Sequence, residues 1–67
     1  MTEQELVSAF AKLDKNYVYS TTNNDMMYNH YTELNIPLKG SLDRAKRNSS
    51  ITRSDFAIIY AAMFGLD

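Results

Sequence analysis

The sequence contains a run of nine residues, 56–64, without a charged side chain. Thr52 and Asp55 precede the run in the T-x-x-[D/E] pattern of a helix N-terminus, and Gly65 follows it at a position typical of a helix end. These signals predict a helix over about 53–64. Its inward face would hold Phe56, Ile59, Tyr60 and Met63. Because the remaining positions are also apolar, this helix must be covered on most of its sides.

The chain offers little protein with which to cover this helix. It has 67 residues, and a domain near this size buries only about 60% of the surface that its unfolded chain exposes. A core this small rarely contributes more than about 3–5 kcal/mol, and no disulfide can reinforce it, because the sequence has no Cys. We therefore predict that a second molecule covers part of the helix, through the surplus apolar residues Ile58, Ala62 and Phe64.

Two more helices are predicted upstream. Thr2 and Glu5 form the capping-box pattern that opens a helix over about 3–13. Apolar residues at helical spacing predict another over about 25–34, which ends before Pro37 because proline disfavours the helical conformation in the preceding residue. The predicted core of the three helices consists of Leu6, Phe10, Leu13, Met27, Tyr31, Leu34, Phe56, Ile59, Tyr60 and Met63.

The segments between the predicted helices are polar connections. Residues 14–24 form a long loop rich in Ser, Thr and Asn, which favour turns and helix caps. Gly40 marks a turn, and Ser41 can cap a short helical turn over about 41–47. The sequence therefore predicts one all-α domain over residues 1–67, a small bundle of three main helices.

The composition excludes several classes of protein. Seven basic and eight acidic side chains give a net charge of −1, which is too balanced for a nucleic-acid-binding tail or a DNA mimic. The absence of Cys excludes thiolate metal sites, and no apolar run reaches the ~18–20 residues of a membrane span. The acidic, polar N-terminus does not resemble a signal peptide, so a cytoplasmic protein is expected.

No residue pattern in the chain predicts catalysis. There is no Gly-rich phosphate loop, no zinc-ligand spacing and no context for a Ser-His-Asp arrangement. Aligning Asp14 with the first position of an EF-hand loop puts Val18 and Tyr19 where calcium binding needs a ligand and a glycine, so no calcium site is expected. His30 is interpreted as a partly exposed helix residue. The chain is therefore predicted to be non-enzymatic, without a cofactor, a metal or a small-molecule substrate.

Five tyrosines are many for a chain of this length, and they cannot all be buried in its core. Tyr17, Tyr19 and Tyr28 lie around one loop. Tyrosine is common at protein interfaces because its ring offers a large contact area at little entropic cost and carries a polar tip. These three side chains are therefore candidates for a protein-contact surface, together with the surplus residues of the last helix.

Positive charge is concentrated in residues 39–53, which we call the basic segment. Its cations are Lys39, Arg44, Lys46, Arg47 and Arg53. One interpretation is a surface for a polyanion such as nucleic acid, whose phosphates these cations would neutralise. The other is a solvated loop whose cations complement acidic side chains of the same or a neighbouring molecule. Five cations over fifteen residues are fewer than a nucleic-acid patch contains, which favours the second interpretation.

Residues 31–66 resemble the surface-layer homology motif. In that family a helix leads through a turn with Gly to a loop, and an Ile-Thr-Arg-x-[Glu/Asp]-Phe signature opens a second apolar helix that ends in Gly-Leu. The matching residues here are Leu34, Ile36, Gly40, Ile51, Thr52, Arg53, Asp55, Phe56, Ala57, Gly65 and Leu66. The resemblance implies a helix–loop–helix unit in which Arg53 contacts an anionic cell-wall glycan.

These features predict a small helical interaction module that binds a protein partner or associates with itself. Phage-encoded host-factor binders, inhibitors and virion accessory proteins are commonly small domains of this composition, so that class is the expected setting. A polyanion binder, for nucleic acid or for a glycan of the surface-layer type, is the alternative and would use the basic segment. No membrane partner is expected.

Overall fold

The computed structural model describes residues 1–20 and 23–66, and the chain has the predicted all-α fold. Three α-helices follow one another along it: α1 (Glu3–Leu13), α2 (Asn24–Glu33) and α3 (Arg53–Phe64). Each helix begins and ends within one residue of its predicted bounds. The bounds of all three main helices are therefore confirmed.

The connection from α2 to α3 contains two short 3₁₀ helices, Lys39–Ser41 and Arg44–Asn48. The sequence predicts one short helical turn over about 41–47, so the prediction is right in kind but merges two separate turns. The predicted polar loop over 14–24 joins α1 to α2, and residues 21–22 of that loop lie outside the described residues. The described part of the chain contains no β-strand.

Local hydrogen bonds determine where the helices begin and end. In α1 the Thr2 hydroxyl accepts a hydrogen bond from the Glu5 N–H at 3.1 Å, and the Glu5 carboxylate accepts one from the Thr2 N–H at 2.8 Å. In α3 the Thr52 hydroxyl accepts a hydrogen bond from the Asp55 N–H at 3.1 Å. These bonds satisfy N–H groups that the first turn of a helix leaves free. Past the end of α2, Asn35 has a left-handed φ of 65°, which asparagine tolerates better than most residues.

The core lies between α1, α2, the segment that follows α2 and one side of α3. Its buried apolar residues are Leu6, Val7, Ala11, Met27, Tyr28, Tyr31, Ile36, Leu38, Ile59 and Met63. Five of these residues, Val7, Ala11, Tyr28, Ile36 and Leu38, are absent from the predicted core. The rings of α2 and the extended segment after it therefore fill much of the interior.

Of the other predicted core residues, Phe10 is partly buried and packs against the core. Four are exposed: Leu13, Leu34, Phe56 and Tyr60. The prediction is wrong for these four because the interior is already filled by residues that the helical stripes did not include. The last residue of α1, the C-cap of α2 and one flank of α3 consequently stay outside the core.

The third helix buries the fewest residues of the three. Within α3 only Ile59 and Met63 are buried, whereas α1 buries four residues and α2 buries three. An apolar helix therefore lies at the surface of the protein, with most of its circumference uncovered.

Among residues 1–20 and 23–66, no helix combines the length and the apolar character that crossing a membrane would need.

Candidate interaction surface

Three rings on α3 stack on one another along the surface of the protein. Phe56, Tyr60 and Phe64 are spaced four residues apart, which brings them to the same side of the helix. The ring centroids are 5.9 Å apart in each pair of neighbours, with angles of 16° and 24° between the ring planes. The exposed fractions of the three residues are 37%, 52% and 65%. We call these three residues the aromatic ladder.

The aromatic ladder is one edge of a broad apolar side of α3. At about 100° per residue, Ala57 and Ala61 follow the ladder around the helix, and Ile58 comes next. All three are exposed, and they lie across the helix from the buried Ile59 and Met63. From Phe56 onward α3 therefore has no polar face, and the apolar residues that the core does not cover are in contact with solvent.

The three α3 residues predicted for protein contact do not lie together. Phe64 belongs to the aromatic ladder, whereas Ile58 lies about 120° away around the helix. Ala62 is partly buried and packs against the core. Phe64 and Ile58 therefore lie on different sides of α3. Phe56 and Tyr60, which were predicted for the core, also belong to this exposed surface.

A groove of about 690 Å³ runs beside the aromatic ladder, where the ends of the three helices meet. Tyr60 and Phe64 line it from α3, and Leu13 and Leu34 line it from the ends of α1 and α2. These leucines are 83% and 42% exposed. The other lining residues are Phe10, Asp14, Lys15, Asn16, His30 and Leu66. The groove therefore extends the apolar surface of the ladder towards α1 and α2.

His30 brings an unpaired polar atom to this region. Its Nε2 is buried and has no hydrogen-bond partner among the described residues. The imidazole centroid lies 4.8 Å from the ring centroids of both Tyr17 and Tyr31. His30 also lines the groove, but its unpaired Nε2 is closed off from solvent. Within residues 1–20 and 23–66, no group of three or more His, Asp or Glu side chains is placed to hold a metal ion.

The structure separates the three tyrosines that were predicted to form a contact surface. Tyr28 is fully buried, so its assignment to a surface is wrong. Its hydroxyl donates a hydrogen bond to Glu3 Oε1 at 3.0 Å, and the Arg47 guanidinium lies 4.1 Å from its ring centroid. Burial, with the nearby Glu3 charge, raises the pKa of the Tyr28 hydroxyl. Tyr17 and Tyr19 are partly buried and pack against the core, so only part of each ring faces solvent.

Glu3 is a buried carboxylate that the sequence analysis did not identify. It is 4% exposed, and it accepts hydrogen bonds from the Lys39 N–H at 3.0 Å and the Gly40 N–H at 2.8 Å, besides the one from Tyr28. A Cβ at Gly40 would lie 2.7 Å from both Glu3 Oε1 and Tyr28 Cε1, and it would also meet the Arg47 side chain. The cluster joins α1, α2 and the first 3₁₀ helix. It contains no residue of the aromatic ladder, so we assign it a structural role.

Three cations of the basic segment are already paired with carboxylates. Lys39 Nζ lies 2.8 Å from Asp55 Oδ2. Arg44 and Arg47 both pair with Asp25, at 2.7 and 2.6 Å. The hydrogen bond from Arg47 holds the pKa of Asp25 below its ordinary value, and the hydrogen bond from Lys39 does the same for the pKa of Asp55. Carboxylates of the same molecule therefore pair with three of the five cations, and Arg44 and Arg47 share one carboxylate.

The other two cations of the basic segment, Lys46 and Arg53, are exposed. Among the described residues, no ion pair includes either of them. Lys46 belongs to the second 3₁₀ helix, and Arg53 is the first residue of α3. The structure thus does not gather the five cations into one free patch.

No protein-family model matches the chain, and no curated protein or solved structure matches it either. The resemblance of residues 31–66 to the surface-layer homology motif therefore stays a prediction from the sequence. The residue to which that resemblance assigns glycan contact, Arg53, lies exposed in the first turn of α3. The geometry of the aromatic ladder and of the groove beside it is then the main guide to the activity of this chain.

Proposed function

We propose that this protein is a non-enzymatic interaction module that binds a protein partner, or a second copy of itself, through the aromatic ladder and the groove beside it. The observation that carries the proposal is the exposure of three stacked rings on a helix that has no polar face beyond its first turn. Buried aromatic side chains supply a large share of the binding energy at many protein interfaces, because each covers a large area with few rotatable bonds.

The apolar area at this surface is large for a chain of this size. The exposed fractions of the three ladder residues add up to about one and a half rings, or about 300 Å² at ~200 Å² per ring. Leu13 and Leu34 add to this area across the groove. The largest apolar patches on monomeric proteins reach a few hundred Å² and often have a function. Covering this patch would remove it from water, which favours binding.

The polyanion alternative has less support from the geometry. A protein that binds nucleic acid or an acidic glycan needs several free cations on one face, since each neutralised phosphate adds to the affinity. Here Lys39, Arg44 and Arg47 already have carboxylate partners. Lys46 and Arg53 alone would give a weak site with a shallow salt dependence.

A pair of glutamate substitutions tests the proposal. Phe64→Glu places a charge in the aromatic ladder, whereas Leu42→Glu places the same charge at a side chain that is 98% exposed and lines neither the ladder nor the groove. Each tagged form would be used to capture proteins from a lysate of the cells that produce it, followed by quantitative mass spectrometry. We expect the unmodified form to capture a protein partner or the untagged chain itself. Phe64→Glu should reduce the captured amount by at least about tenfold, since burying an unpaired charge costs well over 1.4 kcal/mol.

The matched variant makes the result specific to the ladder. Leu42→Glu should capture the same protein as the unmodified chain, because Leu42 belongs to neither feature. Both variants should keep the helical circular dichroism spectrum, since both replaced side chains are mostly exposed. Equal capture by all three forms, or capture of no protein by the unmodified chain, would contradict the proposal.

A further inference from the structure

We infer that the molecule that covers the aromatic ladder is a second copy of the same chain, with two α3 helices packed antiparallel around a two-fold axis near Tyr60. The inference rests on the proposed function, because it names the occupant of the same surface. Three features of α3 support it: the spacing of the rings, the position of Arg53 and the absence of like charges along the ladder.

The aromatic ladder is symmetric about its middle ring. Phe56 and Phe64 lie four residues on either side of Tyr60. Antiparallel pairing around Tyr60 therefore sets Phe56 of each copy opposite Phe64 of the other, and the two Tyr60 rings against each other. Since Phe64 lines the groove, Phe56 of the second copy would meet the edge of that groove. A two-fold axis uses the same patch on both copies, and a self-complementary pattern of this kind is what it requires.

Arg53 favours the antiparallel direction. At about 100° per residue it lies within about 40° of both Tyr60 and Phe64, and therefore on the same side of α3 as the ladder. It is exposed and has no ion pair within residues 1–20 and 23–66. In an antiparallel pair it approaches the C-terminal end of the other α3, whose carbonyl groups carry partial negative charge. A parallel pair would instead bring two Arg53 side chains together, and they would repel each other.

The aromatic ladder carries no charge that would repel the ladder of a second copy. Residues 56–66 contain no charged side chain, so no charge repulsion arises there when one ladder faces another. The rings contribute about 300 Å² per copy, and Leu13 and Leu34 add to this, against about 800 Å² per copy in a standard interface. We therefore expect a dimer that forms as the concentration rises, rather than a permanent one.

Single cysteines can show which positions meet, because the chain contains no Cys of its own. Tyr60→Cys, treated with the oxidant diamide, should form a disulfide-linked homodimer, since the two-fold axis brings the two thiols together. A mixture of Phe56→Cys and Phe64→Cys should form a mixed disulfide dimer in excess over the homodimer of either. Leu42→Cys, in the connection between the 3₁₀ helices, measures crosslinking by random collision.

The unmodified chain provides a second readout. Analytical ultracentrifugation at protein concentrations from about 1 µM to about 1 mM covers a thousandfold range of dissociation constants. The average molecular mass should rise with concentration from that of one chain towards that of two. Arg53→Glu should shift this rise to several-fold higher concentration, because it replaces the cation beside the other helix terminus with an anion. Lys46→Glu is the matched control, as Lys46 is also an exposed cation without an ion pair among the described residues.

Three results would overturn the inference. They are a monomer over the whole concentration range, a Tyr60→Cys variant that crosslinks no more than Leu42→Cys, and Phe64→Cys homodimers in excess over the mixed dimer. A monomer that nevertheless captures another protein through Phe64 would overturn the inference and leave the proposed function standing. A monomer that captures nothing would contradict both.

Discussion

At Gly40 the backbone passes so close to Glu3 and Tyr28 that a Cβ atom would overlap both of them. The φ angle of Gly40 is not positive, so the glycine is required for space rather than for an unusual conformation. Its N–H donates one of three hydrogen bonds to the buried Glu3 carboxylate. Among the described residues that carboxylate has no ion-pair partner, so these bonds stabilise its charge. The close approach at Gly40 therefore keeps a buried charge satisfied.

We expect Gly40→Ala to lower the free energy of unfolding by about 1–3 kcal/mol, because the added methyl group would overlap the Arg47 side chain, the Glu3 carboxylate and the buried Tyr28 ring. Gly65→Ala is the matched control, since a Cβ there would lie 3.5 Å from the nearest atom. That change should stay within about 0.5 kcal/mol of the unmodified chain. Urea denaturation followed by circular dichroism measures both. Equal effects at the two glycines would mean that the contacts at Gly40 are not tight.

Among the helices, α3 is held in place by the fewest buried side chains. Its neighbouring residues Ile58 and Ile59 have the same chemistry but opposite surroundings, because Ile59 is 1% exposed and Ile58 is 52% exposed. Ile59 belongs to the core with Met63, whereas Ile58 lies on the uncovered side of the helix. The attachment of α3 therefore depends on very few contacts.

Ile59→Ala should lower the free energy of unfolding by about 2–4 kcal/mol, because it removes buried methyl groups and leaves a cavity. A domain of this size has only about 3–5 kcal/mol of stability, so we expect the variant to retain little of it and to unfold at a much lower urea concentration in far-ultraviolet circular dichroism. Ile58→Ala should change the free energy of unfolding by less than about 0.5 kcal/mol. If the two alanine variants unfold at the same urea concentration, then α3 does not pack through Ile59.

The bounds of the helices could be predicted from the sequence, but the sides that they bury could not. Thr2 with Glu5 and Thr52 with Asp55 are capping pairs three residues apart, and local chemistry decides them. A helix that is apolar all round carries no signal for its rotation, so the pattern could not show that Phe56 and Tyr60 face solvent. Phe64 could be identified as surplus only because the chain is too short to enclose the whole helix.

The burial of Glu3 was beyond sequence analysis for a different reason. Its backbone partners Lys39 and Gly40 are 36 and 37 residues away in the chain. A carboxylate in the first turn of a helix is normally explained by the helix dipole, and Glu3 occupies such a position. The same long-range packing removes Tyr28 from the surface, because its ring lies against this carboxylate. The sequence signal at this site was Gly40, and it predicted a turn rather than a close contact.

At the scale of the whole molecule, three hydrogen-bonded carboxylates relate stability to pH. Hydrogen bonds lower the pKa values of Glu5, Asp25 and Asp55 in the folded chain, and their partners are Thr2, Arg47 and Lys39 respectively. A lowered pKa means that the unfolded chain binds protons more readily than the folded chain. The resulting stabilisation is complete above the unfolded pKa values and is lost as the pH falls through the folded ones.

We expect the urea midpoint of the unmodified chain to fall between about pH 5 and about pH 3, the range in which unfolded carboxyl groups take up protons. The urea midpoint of the Asp25→Asn variant should fall less over the same pH range, because this change removes the carboxylate that pairs with Arg44 and Arg47. Glu33→Gln is the control, since no ion pair among the described residues includes Glu33. An Asp25→Asn variant with the same acid sensitivity as the unmodified chain would rule out this linkage.

The rings of Phe56, Tyr60 and Phe64 already stack on one another in the free chain, so they are aligned along α3 before any contact forms. Large side chains ordinarily lose rotamer freedom on binding, at about 0.5–1.5 kcal/mol for each. The stacked neighbours restrict one another's rotamers as soon as the helix folds. Such preorganisation lowers the entropic cost of covering the rings, so that a modest contact area can hold a complex together.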